Sequence, residues 1–275
     1  MLPTQEMEDF VVNLAKECGE LVRERNKQKK KVEEKLNAVD LVTETDKEVE
    51  KRLIAGISEK YPDHKFIGEE STADGIKCEL TSNPTWIIDP IDGTMNFVHG
   101  YPNFCISIGY VVDKVPQMGV IYCPIMDWLY TARKGCGAFH NGTRIHVSQT
   151  TDLTQALINL ETSVRSSDPK KMQVFFENLN ILVPVVHAIR TAGSCVIAMA
   201  LVASGGADAY MEFNVHAWDM AAGAVLVTEA GGVVIDPAGG PFDLMSGRLL
   251  CASTSELAQE LAKNVKQYYP IRDDA

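Results

Sequence analysis

The chain has 275 residues, 45% of them hydrophobic and 23% charged, a composition that supports a sizeable core and excludes an intrinsically disordered segment as its main character. Its formal net charge of −11 argues against nucleic acid as a partner, because phosphate backbones demand a basic footprint. The longest apolar runs, Cys195 to Ala203 and Ala221 to Val227, fall well short of the ~20 residues a bilayer requires, so no membrane partner is expected.

At the amino terminus, Met1-Leu2-Pro3-Thr4 is followed by acidic residues, without the basic flank and apolar stretch of a signal peptide. Seven cysteines are scattered without a C-x-x-C pair, which suits a reducing compartment, and a cytoplasmic location is expected. Met7, Phe10, Val11, Leu14, Ala15, Cys18, Leu21 and Val22 form an apolar stripe at helical spacing and predict the first helix. The basic run Lys27 to Lys31 is flanked by acids and reads as a solvated helix end rather than a binding patch. Thr45-Asp46-Lys47-Glu48 has the form of a capping box, opening a second helix with Val49, Leu53 and Ile57 inward.

From Thr85 to Val147 short β-prone runs dominate: Trp86 to Ile88, Phe104 to Val112, Gly119 to Tyr122 and Trp128 to Ala132. Asn141-Gly142-Thr143 matches a glycosylation sequon, but Asn-Gly reads as a hairpin turn. Further on, Asp168-Pro169 offers an N-cap with proline at the first helical position, and Pro184 to Ile189 reads as a strand. Ser194 caps an apolar helix ending at Gly205-Gly206; Ala207 to Glu212 is a strand, and Ala217 to Ala230 is a helix stopped by Gly231-Gly232. Val233 to Ile235, Leu249 to Ala252 and a helix capped by Ser253-x-x-Glu256 complete the chain. This mixed order predicts a layered α/β (mixed α+β) fold, and the lack of repeats or linkers predicts a single domain over 1–275.

The informative residues are carboxylates. Asp89 ends an apolar strand, Pro90 stops its ladder, and Asp92, Gly93 and Thr94 follow. Two acids, exposed amides and a hydroxyl thus gather at a strand's carboxyl end, where open α/β sheets bind ligands. A bare D-x-x-D also occurs in ordinary turns, and the alternating ligands of an EF-hand are absent. Glu69 and Glu70 follow a short apolar run, and Asp219 opens an apolar helix; taken singly these read as a loop acid and a helix-start carboxylate. Asp46 alone reads as a first-turn acid.

Together these segments resemble the inositol monophosphatases, in the wider group of lithium-sensitive, Mg²⁺-dependent phosphomonoesterases. Four blocks carry the resemblance: Val39 to Asp46, Phe66 to Ser71, Trp86 to Thr94 with Asn96-Phe97, and Trp218 to Ala222. Gly205 to Tyr210 and Thr228 to Gly232 extend it over nearly the whole chain. The resemblance implies the αβαβα sandwich of the inositol monophosphatase and fructose-1,6-bisphosphatase superfamily. It also implies two or three Mg²⁺ per site. Glu69, Asp89 and the carbonyl of Ile91 would hold the first, and Asp89, Asp92 and Asp219 the second, with a weaker third near Glu69. Two such ions ~3.5–4 Å apart clamp the attacking and leaving oxygens of an in-line displacement. Bound cations also reverse the field of the acidic cluster, so that an anionic substrate can approach an acidic protein.

By the same resemblance, Glu69 and Thr94, with Asp46 behind the threonine hydroxyl, orient and activate the attacking water. The Gly93 and Thr94 amides bind phosphate oxygens. Gly193, Ser194, Cys195 and Glu212 would lie around the ring hydroxyls, with Glu69, Ile91, Asp92 and Asp219 also lining the substrate. His216 reads as a pocket residue or as a structural histidine, and Cys195 as a contact or a small core hydrophobe. Met95 stands where the family commonly has Thr, and Cys195 where it commonly has Ala, which affects pocket shape but no proposed ligand. The implied substrate is a small phosphorylated polyol, inositol monophosphate foremost and galactose 1-phosphate beside it, and the implied assembly a homodimer. The alternatives are a 3′-phosphoadenosine nucleotidase, a fructose-1,6-bisphosphatase, or a scaffold that has lost its chemistry.

Overall fold

In the computed structural model the described residues are 2–28, 32–34, 41–161 and 168–275. Lys29 to Lys31 of the basic run, and Val39 and Asp40 of the first block, lie outside them. The elements in chain order begin with α1 (Gln5–Asn26), β1 (Val32–Glu34), β2 (Leu41–Thr43), α2 (Glu44–Lys60), β3 (Lys65–Gly68) and α3 (Glu69–Ala73). Next come β4 (Thr85–Asp92), α4 (Thr94–His99), β5 (Cys105–Val112), β6 (Val115–Cys123), β7 (Trp128–Arg133), β8 (Gly137–His140) and β9 (Thr143–Ile145). The second half holds β10 (Leu157–Leu160), α5 (Pro169–Leu182), β11 (Ala188–Arg190), α6 (Cys195–Ala203) and β12 (Ala209–Phe213). It closes with α7 (Ala217–Glu229), β13 (Val233–Ile235), β14 (Arg248–Ala252) and α8 (Ser255–Asn264).

Two large sheets and three helical layers result. One sheet runs β3-β4-β5-β6-β7-β8-β9, antiparallel except for the parallel pair β3–β4. The other runs β11-β10-β12-β14-β13, with β11, β10 and β12 parallel. Strand β4 is buried along its whole length because both its faces are covered. Its alternation sends Trp86 and Ile88 to the α1–α2 layer and Ile87 to the opposite side, against α6 and α7. Helices α6 and α7 fill the space between the sheets and are therefore apolar nearly all round. On the outer face of the second sheet, α5 and α8 cover Ile158, Met211 and Leu250. This is the expected αβαβα layering.

Most predicted elements form, with four corrections. The second helix is capped by Thr43, not Thr45: the Asp46 carboxylate accepts from the Thr43 amide at 3.1 Å, which makes Asp46 the third helical residue. The last helix is capped by Thr254 rather than Ser253. Pro184 to Ile189 is not a strand throughout; β11 starts at Ala188, because residues 183–186 close the last turn of α5. Strand β4 does not stop at Pro90. Asp89 pairs with Ser107 and Asp92 with Cys105, so one extra residue is accommodated as a β-bulge where proline offers no N–H. No helix among the described residues is long and apolar enough to cross a membrane.

Candidate active site

The site forms where the carboxyl ends of β3 and β4 meet the start of α7 and the residues after β11. The bulge in β4 turns Asp89 and Asp92 to the same side, and the Ile91 amide donates to Asp89 at 2.9 Å. One oxygen of Asp92 accepts from the Val196 amide at 2.8 Å and from the Ser194 hydroxyl, which ties β4 to the first turn of α6. Asp219 reaches in from α7, its Oδ2 accepting the His216 amide at 2.7 Å. Carboxylate oxygens of Asp89, Asp92 and Asp219 all lie within 4.8 Å of one another. Glu69, the first residue of α3, hydrogen-bonds Asp89 from the β3 side.

Crowding of this kind is electrostatically costly. Burial pushes Asp89 well above the usual carboxylate range, and the charges of Glu69, Asp92 and Asp219 push it further. Asp92 is pushed up to about 7 by burial, against the lowering effect of its Ser194 and Val196 hydrogen bonds. Asp219 is raised by burial and by Asp92, with His216 opposing. Among the described residues no lysine or arginine forms an ion pair with any of the three. Hard oxygen donors, mutual repulsion and the lack of any such ion pair together fit a divalent cation.

Beside the cluster, the Thr94 hydroxyl lies 3.2 Å from Asp46 Oδ1 and 3.0 Å from the Ile91 carbonyl. Asp46 itself is fully buried. Gly93 holds φ 92°, and a Cβ there would meet the Asn103 carbonyl at 2.9 Å, so the turn between Asp92 and Thr94 requires glycine. On the far side, the Gly193 amide donates to Glu161 at 2.9 Å and its carbonyl accepts from Asn96 at 3.1 Å. Ser194 caps α6, and the Cys195 thiol lies buried, 3.4 Å from the Asp219 carbonyl. Glu212, at the carboxyl end of β12, takes the Tyr210 hydroxyl hydrogen. Burial raises its pKa against the attraction of Lys171. His216 stacks on Trp218 and bonds Asp273 through Nδ1 at 2.6 Å, a structural partner that accounts for it without a ligand.

The sequence profile of the Inositol monophosphatase family matches residues 4–269. This chain belongs to that family. It is 50% identical to human inositol monophosphatase 1 over 273 residues, covering 99% of this chain and 98% of the relative. Among solved structures, the Thermotoga maritima IMPase superposes with a TM-score of 0.84 at 32% identity, over 94% of this chain and 96% of that one. Inositol monophosphate-bound SaIMPase-II, from Staphylococcus aureus, superposes with a TM-score of 0.76 at 28% identity, over 94% and 93%.

In this inositol monophosphatase-family site, four residues that sequence reading passed over prove structurally important. Glu50 is buried on α2 and accepts the Glu70 and Ser71 amides, both at 2.8 Å, so it sets the start of α3 and the backbone beside Glu69. A Cβ on Gly68 would lie 2.6 Å from that carboxylate. Asp273 accepts the Ala217 amide at 2.8 Å as well as bonding His216, and so latches the first turn of α7. Glu161 accepts the Ala192 and Gly193 amides at 2.6 and 2.9 Å. Lys171 lines a cleft with Glu161 and Glu212. Only Glu50 had a local signal, as a charged residue on the inward stripe of a helix beside Val49 and Leu53.

Proposed function

We propose that this protein hydrolyses inositol monophosphate to inositol and inorganic phosphate, with Mg²⁺ as its metal. The observation that carries the reading is the convergence of Asp89, Asp92 and Asp219 from two distant elements, in a chain of the inositol monophosphatase family. These three carboxylates, Glu69 and the Ile91 carbonyl would hold the cations. When bound, Mg²⁺ supplies the positive charge that draws in the phosphate, activates a water and stabilises the leaving oxygen.

The protein's own groups do the orienting. With its hydrogen held by Asp46, Thr94 Oγ1 turns a lone pair toward the attacking water, and Glu69 accepts a second hydrogen from it. The Gly93 and Thr94 amides face the phosphate oxygens. Cys195 and Glu212 meet the polyol ring; Gly193 and Ser194, already committed to Glu161, Asn96 and Asp92, shape the rim that seats it. The bound relative, SaIMPase-II with inositol monophosphate, supports this substrate class. The same reading has residues 1–275 act as one domain, as a homodimer in the cytoplasm, with galactose 1-phosphate as a secondary substrate and with sensitivity to lithium.

The deciding experiment is phosphate release from a panel of inositol, sugar, nucleotide and bisphosphate substrates, with Mg²⁺ or EDTA, and with LiCl against matched NaCl. Mg²⁺-dependent turnover favouring inositol monophosphate is expected, with lithium inhibition deepening as substrate rises. Preference for fructose 1,6-bisphosphate or a 3′-phosphonucleotide would replace the substrate assignment, and binding without turnover would favour the scaffold.

A further inference from the structure

Past the carboxylate cluster, an open cleft runs beneath α5, at the carboxyl ends of β10 and β12. Phe175, Met211 and Phe213 supply much of its apolar lining, and Glu161 and Glu212 line it as well. Its polar groups are mostly committed. Glu161 accepts two backbone amides, and Glu212 takes the Tyr210 hydroxyl. Asn178 is used on both ends by the Lys266 backbone, at 3.0 and 2.6 Å.

Lys171 differs. It is half-buried on the first turn of α5 and lines the same cleft; its backbone amide donates to the Asp168 cap at 3.4 Å, yet its ammonium makes no hydrogen bond or ion pair with any described residue. Burial pulls its pKa down, while Glu212, Asp168 and Asp219 draw it up, so its ammonium lies within the field of the substrate end of the site. A lysine ordered against apolar walls without a partner is costly, and a bound ligand is what would supply the partner.

We propose that Lys171 is a specificity-determining contact: it donates to one hydroxyl oxygen of the polyol while Glu212 accepts the hydrogen of the neighbouring hydroxyl. This rests on the assignment of the polyol ring to the Glu212 end of the cleft. A hydroxyl carries one hydrogen and two lone pairs, and a carboxylate satisfies only the hydrogen. Beside the apolar lining the hydroxyl oxygen needs a donor, and among the described side chains lining the cleft Lys171 is the uncommitted one. Two carboxylates flank it, so a neutral diol fits better than a second phosphate or a carboxylate, which would face both.

The test compares wild type with Lys171→Met, which keeps an unbranched stem and removes the ammonium, on inositol 1-phosphate and on cyclohexyl phosphate, which lacks the remaining hydroxyls. The ratio of kcat/KM values between the two substrates should shrink by about 10- to 100-fold, the range for losing a hydrogen bond to a charged donor. That loss should appear in KM for inositol 1-phosphate. Lys171→Arg, which keeps a donor, should retain most of the discrimination and serves equally if the methionine variant misfolds. An unchanged ratio overturns the proposal, as does a wild type that prefers a bisphosphate through Lys171, which makes the residue an anion site. A wild type inactive on inositol 1-phosphate from the outset instead overturns the substrate assignment on which the proposal stands.

Discussion

Asp92 and Asp219 each spend an oxygen on the first turn of a helix, α6 and α7 respectively, and so bring a helix dipole to bear on a crowded carboxylate. Asp89 has only the Ile91 amide and its hydrogen bond with Glu69. It is therefore the least compensated of the three. Asp89→Asn keeps the size and the acceptor for Ile91, so the fold should persist while kcat/KM drops by ~10³-fold or more, several kcal/mol of lost charge stabilisation. On the proposed reading, Thr94→Ala removes a water-orienting oxygen rather than a ligand. We expect kcat to fall ~10²–10⁴-fold with KM little changed, and a raised KM at constant kcat would make Thr94 a phosphate contact only.

Element packing fixes where α7 delivers Asp219. The helix lies directly on β5 and β6 through Gly109 and Gly119, where a Cβ would meet Ala221 Cβ at 2.6 Å and collide with the Ala222 carbonyl. Gly119→Ala should cost about 1–3 kcal/mol by overpacking against backbone that cannot yield, read as a lowered Tm, and should loosen divalent binding as α7 lifts away. At the other end, the buried Asp273 carboxylate holds His216 and Ala217, while Arg272 anchors the tail to Asp243 at 2.6 Å. Asp273→Ala frees the turn that carries Asp219. Mn²⁺ titration calorimetry should show ~10–100-fold weaker binding, the usual effect of losing a group that orients a ligand. Unaltered affinity with a lowered Tm would make the latch purely structural.

Across the whole molecule, the site makes stability depend jointly on metal and pH. In the metal-free protein, folding raises Asp89, Asp92, Asp219 and Glu161 above their unfolded values, Asp92 and Glu161 to about 7. The folded state then binds more protons than the unfolded one. The contribution of these groups is thus fully present below about pH 4 and is lost as pH rises through about 7. Metal binding displaces the protons and replaces repulsion with coordination. Scanning fluorimetry should show a larger Tm increase on adding Mg²⁺ at pH 7.5 than at pH 5.5. At a hundredfold excess over Kd, each site is worth about 2.7 kcal/mol, several degrees for a chain this size. Equal increases at both pH values would show that the carboxylates are already ionised without metal.

The sequence by itself determined the layers and the ligand types. Alternation in Trp86 to Ile88 and the helical stripe of α1 are local consequences of which face is buried, so they are legible without coordinates. That Asp89, Asp92 and Asp219 belong together was legible only through the resemblance of their blocks to one family, since singly they read as a turn and a helix start, and the structure brings their oxygens within 4.8 Å of one another. Cap positions were ambiguous where two candidates fit the same motif: Thr43 and Thr45 both precede an acid by three residues, and only the reach of Asp46 back to the Thr43 amide decides between them. Tertiary structure alone decided which distant residues hold the site. Glu50 meets its amides 20 residues on, Asp273 meets His216 across 57, and Lys171 faces Glu212 from another element. Such contacts leave no local periodicity, because they are set by how α2, α5 and the tail pack against the sheets and not by the residues beside them in the chain.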